Sequence, residues 1–326
     1  MKLKNMLLIA LTLTILAFTL PSTNHAAAVA PPAVSDEEAP RYSPELDLLR
    51  QQLAARGATG VELAQAEYFT TVEGYNAATS QTIISNDRTH LLNSQFVEND
   101  PRRGGRSFIT YVVDQSDGNA LTITPSGVVV LPNSATEAAI DQSMATWGAV
   151  GCNGPGVVKV ADSGGNIDLI DNLVLGGAVG APTADITHAG WLNPPFFNAI
   201  APNGGSFILG VTFTFIFVDA GGPTDIDNNG LADVAFREIY YNRGFGWGTN
   251  GLAPNVDVQS VATHEAGHAF GLAHFGKLFI TKNDPVTADN LHFAPRAVMN
   301  AAYVSPFREL TGTDNGSFCH IWANSH

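Results

Sequence analysis

An α+β fold built on a mixed, twisted sheet is the class this sequence predicts, and three observations predict it. Short runs rich in β-branched and aromatic residues recur at 108–113, 127–131, 156–161, 167–169, 207–218 and 234–241. Helical patterns open near Ser134 and Asp257, and another covers Asp314–Trp322, so the order is strand, helix, strands, helix, final helix. The chain has 326 residues and no internal repeat, enough for one large domain plus appendages.

The elements follow in order. Lys2 and Lys4 precede an apolar run from Met6 to Leu20, and small residues then end in Ala28-Val29-Ala30. This pattern reads as a secretory signal peptide over 1–30 with an A-x-A cleavage site. The alternative, a membrane anchor, needs roughly 20 apolar residues, more than this run has. No other segment has that apolar length, so the mature form is expected to be exported without a membrane span. Residues 31–42, rich in Ala, Pro and acid, are expected to be disordered. A short helix follows: Ser43 caps it, Pro44 suits its first turn, Leu46, Leu49 and Leu53 form one face, and Gly57 stops it. Residues 58–100 show no strong periodicity, and the basic, glycine-rich Asn99–Arg106 reads as an exposed linker. The segment 31–105 is therefore read as a propeptide cut within 101–107, or as a permanent N-terminal extension. Residues 106–326 form the main domain. It opens with the β-prone Phe108–Val113 and a second strand at Gly127–Leu131. Ser134-Ala135-Thr136-Glu137 is a capping-box pattern for a helix with Ile140, Met144 and Trp147 on one face, ending near Gly151.

The densest chemistry lies in His264-Glu265-Ala266-Gly267-His268-Ala269-Phe270-Gly271-Leu272-Ala273-His274. On a helix starting near Asn255 or Asp257, His264 and His268 share a face and can grip one ion. Gly271 can adopt a positive φ and end the helix, so that the chain returns with His274. Three neutral imidazoles leave one tetrahedral position of Zn2+ open for water, as a catalytic site requires. Glu265 then stands beside that water as general base. The alternative is a buried helix with incidental histidines. It would leave three polar rings without partners in an apolar setting, at a cost in free energy.

This eleven-residue pattern resembles that of the metzincin zinc peptidases. The stretches Val258–Thr263, Ile186-Thr187-His188-Ala189-Gly190-Trp191 and the chain end are most similar to the matrixin branch, especially secreted bacterial matrixin-like proteins. The resemblance covers roughly 108–326. It implies a three-layer α/β/α-like arrangement with an antiparallel edge strand, an active-site helix, a methionine turn and a C-terminal helix. Met299, in Arg296–Tyr303, takes the place of the turn methionine, which is also a packing residue. The position where several branches carry a catalytic tyrosine is Ala301, so Tyr303 receives no role. Ile186, Thr187, His188 and Ala189 take the place of the edge strand to which an extended peptide adds. The implied activity is metal-assisted endopeptidase cleavage of a protein or peptide substrate. Three departures qualify it. Phe275 follows the third histidine where matrixins have Ser or Thr, residues 31–105 hold no cysteine to cap the metal, and only His188 matches the branch's second, structural zinc. Latency must then use another ligand, such as a carboxylate, or steric cover. No second zinc is expected, and His188 reads as a strand histidine with an ordinary hydrogen bond.

A second metal pattern is Asp225-Ile226-Asp227-Asn228-Asn229-Gly230-Leu231-Ala232-Asp233. Asp225, Asp227, Asn229 and Asp233 stand at positions 1, 3, 5 and 9 with glycine at 6, like the start of a calcium loop, although position 12 is Phe236 and not glutamate. Structural Ca2+ is the expectation and an acidic Asx turn the alternative. The two cysteines, Cys152 and Cys319, predict one disulfide in an exported chain, with two free buried thiols as the alternative. The net charge of −14 suits solubility and cation binding, and no basic stripe offers a nucleic-acid surface. The sequence sets no oligomeric state. Beside the endopeptidase stands a second reading, a catalytically silent exported protein that binds zinc and calcium and serves interaction.

Overall fold

Ile208–Asp219 explains the sheet best. Its side chains alternate Val211, Phe213 and Phe215 on one face with Gly210, Thr212 and Thr214 on the other, and both faces are buried. A strand of this kind belongs inside a layered domain. The computed structural model describes residues 44–72, 91–114, 116, 118–165, 167–170, 173, 182–281 and 290–323. The signal-peptide segment, Ser43 and the Ala/Pro-rich stretch lie outside these residues.

In chain order the described elements are α1 (Pro44–Ala55), β1 (Val61–Thr71), β2 (Ser94–Gln95), β3 (Ile109–Val113), β4 (Leu121–Thr124), β5 (Gly127–Val130), α2 (Asn133–Gly148), β6 (Val157–Lys159), β7 (Ile186–Leu192), α3 (Pro194–Ile200), β8 (Ile208–Asp219), β9 (Gly222–Pro223), β10 (Ala232–Asn242), β11 (Trp247–Gly248), β12 (Val256–Asp257), α4 (Val258–Ala269), β13 (Lys277–Thr281), β14 (Asn290–Ala294), β15 (Ala302–Tyr303) and α5 (Gly312–Trp322). The main sheet runs β15-β1-β8-β10-β7-β3-β6. β10, β7, β3 and β6 are mutually parallel, β8 is antiparallel to both β10 and β1, and β15 is parallel to β1. The class is α+β with a mixed sheet. One face carries α2, α4 and α5 over Trp147, Val261, Phe270, Phe318 and Met299. The other carries α1 and α3 over Leu49, Leu53, Phe196, Phe197, Phe213 and Tyr240. Cys152, just past α2, is disulfide-bonded to Cys319 in α5, with Cα atoms 5.6 Å apart. Among the described residues no helix is long and apolar enough to cross a membrane.

Several expectations need correction. Ile186–Ala189 lie on no edge: β7 is buried along its whole length and paired with parallel neighbours on both sides, because Ile186, Ala189, Trp191 and Leu192 have cover on both faces. The antiparallel strand is β8, and its outer side is taken by β1. The sequence shows no periodicity there because β1 carries Glu62, Gln65 and Glu67 and a register shift at Leu63/Gln65, which breaks the alternation. The second strand expected at Gly127–Leu131 is present as Gly127–Val130, and it pairs with β4 in a hairpin outside the main sheet, with Val128 and Val130 exposed. The described residues of 167–169 form no strand; the Leu169 and Ile170 amides donate instead to the Glu238 carboxylate. The capping box at Ser134 is not used, since α2 starts at Asn133 behind Pro132, which has no side-chain oxygen to accept. The 101–106 run is also more than an exposed linker: Arg103 is buried, with its Nε donating to Asp185 at 2.9 Å.

Asp257 caps α4, accepting from the Ser260 amide at 2.9 Å, and the Arg308 guanidinium grips the same carboxylate. Although burial acts against it, the Arg308 and Ser260 hydrogen bonds hold this carboxyl below its ordinary value. Its contribution to stability is therefore present above about pH 4 and lost as pH falls through the depressed folded value. Asp257→Asn should cost about 2 kcal/mol at pH 7 and progressively less below pH 4, as read by denaturant unfolding across pH. A difference from wild type that does not change with pH would contradict this account.

Candidate metal centre

The three histidines meet because the helix ends where the sequence predicts. Phe270 caps α4, Gly271 takes φ 97°, and its amide donates to the His268 carbonyl at 2.9 Å. The Leu272 amide returns to the Gly267 carbonyl at 3.0 Å, a closure that satisfies the last carbonyls and turns the chain back toward the helix. His274 then faces His264 and His268, and the three Nε2 atoms form a triangle with sides of 3.1, 3.2 and 3.2 Å.

Two of the rings are held from behind. His264 Nδ1 lies 2.7 Å from the Val298 carbonyl, and His268 Nδ1 2.8 Å from that of Leu272. A carbonyl can only accept, so both Nδ1 atoms carry the proton and both Nε2 lone pairs point inward. His274 Nδ1 has no hydrogen-bond partner and faces Glu67 Oε2 at 3.8 Å, too far for one. Burial drives the His264 imidazole down to about 3 and those of His268 and His274 well below their usual value, with the neighbouring rings adding to the effect on the last two. The trio is therefore neutral, the form that binds metal. A tetrahedral ion with bonds of about 2.0 Å sets its ligands about 3.3 Å apart, and the triangle matches that spacing. The group fits a single metal ion of this size.

Glu265 sits on the same helix, fully buried. Its Oε2 accepts from the Thr212 hydroxyl at 2.6 Å, while Oε1 has no hydrogen-bond partner. Burial pushes its carboxyl well above the usual range; Thr212 and the Phe69 backbone N–H oppose the shift and the Glu67 charge adds to it. Gly210 on β8 makes room, since a Cβ there would stand 2.9 Å from Oε1. Sequence reasoning misses Gly210 and Thr212, because nothing in a strand pattern says which helix residue it will face.

Met299 is buried beneath the helix, where a Cβ at Gly267 would collide with its Sδ. The turn is pinned by Asp314, whose carboxylate accepts from the Val298 and Met299 amides at 3.0 and 3.2 Å while closing the capping box of α5 with Thr311. Tyr303 is occupied elsewhere: its hydroxyl accepts from the Asp257 amide at 3.1 Å. His188 behaves as an ordinary strand histidine, with Nδ1 2.7 Å from the Tyr241 hydroxyl. Carboxylate oxygens of Asp225, Asp227 and Asp233 lie within 4.8 Å of one another. Asp225 accepts from the Asn229 and Gly230 amides, Asn229 Oδ1 accepts from the Leu231 amide, and Asp233 accepts from Arg102 and Thr224.

Metal analysis of the purified chain should find one tightly held transition-metal ion, lost in His268→Ala while the fold persists by circular dichroism. Retention of a stoichiometric transition-metal ion in that variant would contradict the three-ligand site.

No protein-family model and no curated protein matches the sequence. Among solved structures, similarity is found to a chain described as "GM1 bound form of the ECX AB5 holotoxin", at 15% identity and a TM-score of 0.27, covering 72% of this chain and 76% of that one. A likeness at this level carries no argument about fold or function.

Proposed function

We propose that the protein is an exported zinc-dependent endopeptidase of the metzincin type, matrixin-like in its motif. The observation that carries the reading is the convergence of three neutral Nε2 atoms on the helix that also bears Glu265. The order β3, α2, β6 to β10, α4, the Met299 turn and α5 supports it, and the disulfide supports export.

His264, His268 and His274 would hold the ion, which when bound supplies Lewis acidity, lowering the pKa of a water and polarising a carbonyl. The chain's own groups do the rest. Glu265 takes the proton of the attacking water on Oε1, the oxygen that has no partner, and returns it to the leaving amine nitrogen. Thr212 fixes the other oxygen so that Oε1 points one way. Burial raises the affinity of this carboxyl for protons, the direction that suits a group meant to accept one. The carbonyls of Val298 and Leu272 keep the His264 and His268 lone pairs directed inward. An extended peptide would take the outer edge of β8 only by replacing β1, which holds that edge, and not the 186–189 strand that the sequence suggests. Calcium would brace the Asp225–Asp233 loop, in competition with the Arg102–Asp233 ion pair. A catalytically silent metal-binding interaction protein is the second reading, and the complete burial of Glu265, His264 and His268 favours it.

In the chain cut near residues 101–107, Glu265→Ala should retain the metal and lower peptide cleavage by about 100- to 10,000-fold against the equally cut wild type; wild-type rates on casein in that variant would remove Glu265 from the mechanism. Added calcium should raise Tm by about 2–4 °C, and Asp227→Asn should abolish the shift; equal melting curves with calcium and with chelator would remove calcium.

A further inference from the structure

One segment accounts for the burial of the site. β1 lies antiparallel along the outer edge of β8 from Val61 to Thr70, and β15 lines its other side in parallel. This is the arrangement of an extended peptide added to a sheet, with main-chain hydrogen bonds along its length. Three of its side chains, Gln65, Glu67 and Phe69, stand opposite Thr214, Thr212 and Gly210, on the face that meets α4. The Phe69 ring stacks on the His264 imidazole at 3.9 Å between centroids and 10° between planes. It also borders a cavity of about 340 Å³ lined by Val298, Asn300, Tyr303 and Phe307. Glu67 faces His274 and acts electrostatically on the buried Arg237 guanidinium.

We infer that Val61–Thr71 is a built-in occupant of the peptide groove, lying on β8 as an added antiparallel strand and holding the site closed in the full chain, and that the opened groove takes extended peptides with an acidic residue two positions before a large apolar one. The inference rests on the peptidase reading only for what the groove does. Occupancy itself follows from the contacts. Because β1 is tethered to the domain, its effective concentration at the groove is high, and a modest strand-to-strand affinity suffices to exclude competitors. No latch cysteine is needed: the Phe69 ring covers His264, and Glu67 stands against His274.

The test uses the full chain with a site-specific protease recognition sequence inserted in the exposed Gly104–Gly105 turn, loaded with zinc and checked for metal content. A synthetic peptide of residues 61–71 and a chromogenic casein substrate are the probes. Before the cut, the chain should bind no labelled peptide and cleave no casein. After the cut and dilution, the N-terminal fragment should separate, the remainder should bind the peptide, and peptides carrying Phe69→Ala or Glu67→Ala should bind at least about tenfold more weakly. If the uncut chain binds or cleaves as well as the cut one, the occlusion is wrong and the peptidase reading stands. Unfolding of the remainder once the fragment leaves would make β1 an integral strand and overturn the inference. If the remainder binds the peptide and holds zinc but cleaves nothing, the occlusion stands and the peptidase reading fails.

Discussion

Three imidazole nitrogens held 3.1–3.2 Å apart in a closed interior are the constraint on which this molecule depends. Their lone pairs repel, and burial away from solvent costs each of them free energy. The arrangement persists because much of the C-terminal half is committed to it. The Leu272 carbonyl is placed by the helix ending at Gly271. The Val298 carbonyl is placed by a turn whose amides Asp314 holds, and Asp314 is itself fixed as the third residue of the α5 capping box. The disulfide ties α5 to the end of α2, whose Trp147 packs against Phe318 and donates to the Thr263 carbonyl on the metal helix. Helix cap, turn and disulfide thus converge on the orientation of three rings.

The sheet contributes the other half of the site. β8 serves both layers, since Phe213 and Phe215 build the core under α1 and α3, while Gly210, Thr212 and Thr214 leave space for α4. A larger residue at 210 would meet Glu265, and an apolar one at 212 would leave Oε2 without its donor. The strand that forms the core is therefore also the strand that sets the position of the Glu265 carboxyl. The same strand also carries β1 on its outer edge.

Much of this is legible in the sequence, for identifiable reasons. The helix over 258–269, its N-cap at Asp257 and its stop at Gly271 obey local rules of capping and backbone freedom, and local rules survive folding. The histidine spacing is equally local. The burial of Met144, Trp147 and Met299 and the Cys152–Cys319 bond also follow from pattern and composition. Apart from the unused capping box at Ser134, the misses are non-local. The residues of β7 resemble an edge segment, yet whether a strand is internal depends on which strands flank it. β1 escapes notice because Glu67 and Gln65 look like surface residues until Arg237, Thr214 and the metal helix are brought opposite them. Arg103 in a glycine-rich run reads as solvent-exposed, but the buried Asp185, just ahead of β7 and far along the chain, takes it in. Charge inside a fold is explained by its partner, and the partner lies far along the chain.

X-ray absorption at the metal edge of the zinc-loaded chain probes the central claim most directly. The account predicts three imidazole nitrogens at about 2.0–2.1 Å with the ring-carbon scattering of histidine, and no sulfur in the shell. A spectrum dominated by hydrated zinc, or one with fewer than three imidazoles, would show that the trio does not hold the ion and would contradict the account.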